Sequence, residues 1–149
     1  MKKILFFDNE TYVSKYLVKN LQENYGWNGD KKITYVSSVD DLLDEINDGN
    51  VTYNLFILDI MTSIDSDETK KRFRRDELES LSGGMNTGLV IAKRVREIER
   101  YDSVPIIFLS ARAIPPIPDK ERKITTYIRK PVSPEEITSK MKELMGLTS

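Results

Sequence analysis

Two carboxylates, a hydroxyl and an ammonium stand where four short apolar runs stop. Asp8 follows Lys3–Phe7, Asp59 follows Asn54–Leu58, Ser110 follows Val104–Leu109, and Lys130 follows Thr126–Arg129. If these runs are parallel strands of one open sheet, their carboxyl ends lie side by side along the edge where open α/β sheets bind ligands. The four groups then converge, a set of charges suited to an ionic ligand. An aspartate at a strand end is often only a turn or a helix cap, and Asp8 alone reads that way. Asp59 directly follows a buried run with no turn glycine or proline beside it, so it has less structural reason to be there. The chain has no histidine, so any imidazole chemistry must come from another molecule. It has no cysteine, which excludes disulfides and thiolate metal sites.

The segments between the apolar runs carry helical period. Val13, Leu17 and Leu21 repeat every four residues after a candidate cap at Asn9 or Thr11, with Gly26 as the stop. A further apolar run, Ile33–Val36, precedes Ser38, a cap with Asp41 three residues on, which opens a helix carrying Leu42, Leu43 and Ile46 and closed by Gly49. Ile91, Val95 and Ile98 follow Thr87 and Gly88. Last comes Ser133 as cap with Pro134 at the first helical position, Glu136 as capping-box partner, Ile137, Met141 and Leu144 inward, and Gly146 at the end. Strand and helix alternate, which predicts a parallel sheet wrapped by right-handed crossovers. Residues 55–58 and 104–109 are almost continuously apolar, as central strands covered on both faces require.

Composition agrees with a single domain over residues 1–149. That length buries roughly 70% of the surface of the unfolded chain. Hydrophobic residues make up 39%, charged residues 32%, and the net charge is -1, so no overall charge draws the chain to nucleic acid or to a membrane. Only four apolar residues separate Lys3 from Asp8, too few for a signal-peptide core, and the expected location is cytoplasmic.

Five short motifs, Phe7–Glu10, Leu58–Met61, Met85–Gly88, Leu109–Ala111 and Tyr127–Pro131, resemble in this order the marks of the receiver domains of two-component response regulators. The resemblance covers roughly residues 1–61 and 85–146. It implies a single flavodoxin-like, doubly wound α/β fold with a five-stranded parallel sheet in the order 2-1-3-4-5. It implies further that Asp59 accepts a phosphoryl group from a histidine kinase or phosphotransfer protein, that Lys130 and Ser110 hold the phosphoryl oxygens, and that Mg²⁺ is the cofactor. Asp8, Asn9, Asp59 and the carbonyl of Met61 would then hold the metal. Ser110 and Tyr127 would form the switch that a downstream protein reads. Such a chain is a signalling module without enzymatic turnover beyond its own phosphorylation and dephosphorylation, and here it would stand alone without an output domain. The Lys130–Pro131 bond is expected to be cis.

Three departures qualify the resemblance. Asn9 stands where receivers carry a second aspartate, which removes one negative charge and weakens the expected metal site. Glu10 compensates if its side chain turns inward; the plainer reading is a solvated residue that favours the helix dipole. Residues 62–85 form an inserted charged loop, acidic at Asp65, Asp67 and Glu68 and basic from Lys70 to Arg75. The loop reads as a mobile solvated arm or as a lid whose arginines meet phosphate or an acidic partner, with a short helix over 73–81 that turns Phe73, Leu78 and Leu81 inward. As an arm, residues 65–82 should be removable without loss of the fold, and the flanking acids argue against nucleic-acid binding by the basic run. Finally, Pro115, Pro116 and Pro118 make the fourth helix irregular or missing.

Two other readings stay open. One is a receiver-like binding module that docks its partner without phosphate. The other is a phosphatase similar to the haloacid dehalogenases, with Asp8 as nucleophile and Glu10 in place of that family's second aspartate.

Overall fold

A computed structural model describes residues 1–112 and 123–147. Five parallel strands, β1 (Lys2–Phe7), β2 (Lys31–Val36), β3 (Leu55–Asp59), β4 (Ile106–Ser110) and β5 (Thr125–Arg129), form one sheet in the order β2-β1-β3-β4-β5. This is the order the motifs implied. The prolines at 115, 116 and 118, and with them the expected irregular fourth helix, lie outside the described residues.

Successive strand residues point to opposite faces, and the core divides accordingly. Leu5, Phe7, Phe56, Leu58, Ile106 and Phe108 meet Leu42, Leu43 and Ile46 of α2 (Val39–Asn47) and Ile91 and Val95 of α5 (Thr87–Glu97) on one face. On the other, Ile4, Phe6, Ile57 and Leu109 meet Val18 and Leu21 of α1 (Thr11–Asn24) and Ile137 and Met141 of α6 (Pro134–Leu144). All five residues of β3 and all five of β4 are buried, which is why each reads as an apolar run up to its last residue, Asp59 or Ser110.

The expected caps hold for α2, where the Ser38 hydroxyl accepts from Asp41 N–H at 3.1 Å, and for α6, where Ser133 does the same for Glu136 at 3.0 Å. Gly26 and Gly146 adopt the left-handed φ expected of helix stops. Elsewhere the helix phase differs. α1 is capped by Glu10, not Asn9 or Thr11, and buries Ser14, Val18 and Leu21, leaving Val13 67% exposed. The start moves because Asp8 Oδ1 accepts the Glu10 N–H and turns the chain there. Asp48, rather than Gly49, closes α2.

The inserted segment holds two short helices, α3 (Asp67–Lys70) and α4 (Arg75–Ser80), and packs on the protein instead of projecting from it. Phe73 and Leu81 enter the first core as the sequence predicted, but Leu78 faces solvent and Glu77 takes the inward place. Arg94 of α5 explains the exchange: its guanidinium pairs with both Glu77 oxygens, donates to the Arg72 carbonyl at 2.7 Å and lies over the Phe73 ring. The insertion's own arginines are engaged within the chain. Arg72 contacts Asp40 at 3.1 Å and Asp44 at 2.7 Å on α2, and Arg74 forms two 3.0 Å bonds to Glu97 on α5.

Candidate functional site

The sheet register delivers the four polar residues to one edge. Phe7 pairs with Leu58 and Asp59 with Leu109, so Asp8 and Asp59 leave neighbouring strands at the same level; Ser110 pairs with Arg129, one residue before Lys130. Neighbouring strands run about 4.8 Å apart, within side-chain reach. Lys130 Nζ lies 3.0 Å from Asp8 Oδ2, 3.4 Å from Asp59 Oδ1 and 3.5 Å from Glu10 Oε2. The Lys130–Pro131 peptide is cis. Asp8, Asp59 and Ser110 are each buried.

Local bonds hold the two carboxylates. Besides the Glu10 amide on its Oδ1, Asp8 has its carbonyl bonded by the Tyr35 hydroxyl at 2.8 Å. Asp59 Oδ2 receives the Thr62 hydroxyl at 3.5 Å, and the Thr62 carbonyl receives the Thr87 hydroxyl at 2.5 Å. α5 begins hard against the end of β3. A Cβ on Gly88 would stand 2.3 Å from the Asp59 carbonyl oxygen, so only glycine lets the helix start there.

Burial, and then the neighbouring charge of Asp8, push the Asp59 carboxyl up to about 7 against the pull of Lys130. Burial alone would lower the Lys130 ammonium, but the charges of Asp59 and Asp8 outweigh it and the net shift is upward. Two buried carboxylates face one ammonium, so the pair can take a second positive charge. That donor set fits a hard cation such as Mg²⁺, which binds through one or two carboxylates and fills its remaining positions with other oxygens. Among the described residues no group of three or more His, Cys, Asp or Glu forms a metal cage. Of the other expected ligands, Asn9 is exposed and Met61 is half-buried on the loop leaving β3.

The two switch candidates occupy separate surroundings. Ser110 Oγ donates to the Arg112 carbonyl and accepts the Arg112 N–H, both at 3.1 Å. Tyr127 stacks on Phe108 with ring centres 5.1 Å apart. Beside the charged cluster a groove of about 340 Å³ opens between α1 and the loop after β5, lined by Glu10, Val13, Leu17, Ala111, Lys130 and Val132.

No family model and no curated protein matches the sequence. The structure is similar to that of the chemotaxis protein CheY4 of Vibrio cholerae, with a TM-score of 0.67 at 16% identity over 97% of this chain and 98% of that one. It is also similar to the receiver domain of the Francisella response regulator 1452, with a TM-score of 0.65 at 18% identity over 98% of both chains. The BeF3-activated DrrB receiver domain matches with a TM-score of 0.60 at 16% identity, again over 98% of each. The fold is that of a response regulator receiver domain. In this receiver fold Asp8, Asp59, Ser110 and Lys130 share one edge, and the insertion occupies the stretch between β3 and α5. One residue at the site, Thr62, escaped the sequence reading. Thr62 carries a hydroxyl three positions past Asp59, a signal present in the sequence but shared with many loops. For Glu10 the inward reading and the solvated reading both apply: its side chain is 58% exposed yet its carboxylate reaches Lys130, a contact with no local signature. Among the described residues no helix is long and apolar enough to cross a membrane.

Proposed function

We propose that this chain is a cytoplasmic two-component phosphoacceptor whose nucleophile is Asp59. The observation that carries the reading is the Lys130 ammonium, which contacts Asp8 and Asp59 together at the carboxyl edge of the sheet. An Asp59 oxygen attacks the phosphorus of a phosphohistidine on a partner kinase or phosphotransfer protein. The new O–P bond forms as the P–N bond breaks, and the imidazole leaves with a proton. Little covalent work is asked of the protein, because the transferred group is loose and negative and catalysis is alignment plus charge stabilisation. Lys130 holds one phosphoryl oxygen, and Ser110 turns from Arg112 to donate to another. Mg²⁺, held by Asp8, Asp59 and the Met61 carbonyl with Asn9 at the rim, would neutralise charge on the equatorial oxygens. Tyr127 is the candidate that reports the change at Ser110 to a downstream protein.

Acetyl phosphate with Mg²⁺, followed by intact mass, tests this reading. Wild-type protein should gain one phosphoryl group, Asp59→Asn should gain none, and Asp8→Asn should gain it more slowly. Dependence on Asp8 alone would instead make Asp8 the nucleophile, as in a phosphatase. The exposed Asn9 favours a second reading, a binding module that needs no phosphate, and absence of both phosphoryl gain and Mg²⁺ binding would select it.

A further inference from the structure

We propose that Glu10 is an exchangeable counter-charge for Lys130: its carboxylate stands beside the ammonium that an incoming phosphoryl group must reach, and so sets how readily small anionic phosphodonors load Asp59. This inference rests on the phosphoacceptor reading above. An ammonium has three N–H donors and no acceptor. Three carboxylates already surround Lys130 Nζ, Asp8 at 3.0 Å, Asp59 at 3.4 Å and Glu10 at 3.5 Å. A phosphoryl oxygen must compete with these carboxylates for the ammonium.

The three are not equally free to go. The Asp8 and Asp59 side chains are 3% and 4% exposed, and each is fixed by a further bond, from the Glu10 amide and the Thr62 hydroxyl respectively. Moving either off the ammonium strands a buried charge unless Mg²⁺ takes the place of the ammonium, a strongly unfavourable change without the metal. The Glu10 side chain is 58% exposed and can rotate into water with its charge solvated. It also lines the groove beside the cluster, where its carboxylate repels an approaching anion. Glu10 thus balances Lys130 while the site is empty and yields when the phosphoryl group arrives. Because the Glu10 side of the contact is exposed, salt screens its charge.

Beryllofluoride with Mg²⁺ serves as the probe, an inorganic stand-in for a phosphoryl group on a carboxylate. Its binding to the full chain is followed by fluorine NMR, and loading from acetyl phosphate by intact mass. Glu10→Gln should tighten beryllofluoride binding and speed loading by about two- to fivefold at low salt, the range of one exposed ion pair. The gain should fade as ionic strength rises toward about 0.5 M, a dependence that a merely structural role for Glu10 would not produce. Equal or weaker binding in Glu10→Gln, or a gain that is the same at every salt concentration, overturns the proposal. Wild-type protein that takes neither beryllofluoride nor a phosphoryl group overturns the phosphoacceptor reading itself, and this inference with it.

Discussion

Burial of Asp59 beside Asp8 ties the candidate site to pH. The folded-state value, about 7, lies above the roughly 3.9 of an unfolded aspartate, so the folded protein binds a proton that the unfolded chain has released. Its contribution is therefore complete below about pH 4 and disappears as pH rises through about 7. In chelator the protein should lose on the order of 2 kcal/mol of unfolding free energy between pH 5 and pH 8. Denaturant titrations check this: Asp59→Asn should flatten the profile, and Mg²⁺ at pH 8 should recover stability in the wild type. The residue scale also sets a steric limit at Gly88. With a Cβ 2.3 Å from the Asp59 carbonyl oxygen, Gly88→Ala must displace either α5 or the end of β3. A loss of about 2 kcal/mol or more is expected in thermal unfolding, together with slower phosphoryl uptake, because the displaced strand end carries Asp59.

The insertion is best understood as an element. A mobile arm could be cut away, but α3 and α4 bring Phe73 and Leu81 into the core and bind α2 and α5 through Arg72, Arg74 and Arg94. Deleting residues 65–82 is now expected to expose that core and lower the melting temperature, contrary to what an arm would do. A gentler probe is Glu77→Ala, which leaves the Arg94 guanidinium partly buried without its carboxylate. Burial raises Glu77, but the Arg94 bonds outweigh it and the net shift is downward, so the carboxylate is the paired form. Removing one member of such a pair costs about 3 kcal/mol, read by denaturant titration. The exchange of Glu77 for Leu78 as the inward residue also shows why the sequence misled here. A helix of six residues is too short to declare its phase, and the deciding partner, Arg94, sits on another helix.

At the scale of the whole molecule, two helical layers cover a sheet whose central strands are sealed on both faces. Amides of β1, β3 and β4 should be the slowest to exchange with deuterium, and those of the edge strands β2 and β5 should exchange sooner. Equal protection across all five strands would contradict this layering. Much of the architecture was legible in advance because it is written locally: apolar runs with period two or none, Ser38 and Ser133 at helix starts, Gly26 and Gly146 at helix stops. Asp8, Asp59 and Ser110 could be found for the same reason, since each breaks an apolar run in a single step; Lys130 follows Arg129 and was legible only as part of the Tyr127–Pro131 motif. What stayed hidden depended on distant partners. Asp8 capturing the Glu10 amide moved the start of α1 and turned Val13 outward. The same turn, with β5 closing the far side of the site, brought the Glu10 carboxylate to Lys130. Run ends and caps are short-range preferences that each segment carries alone; which charge meets which is a matter of a few ångströms between segments far apart in the chain, and that distance exists only once the sheet has formed.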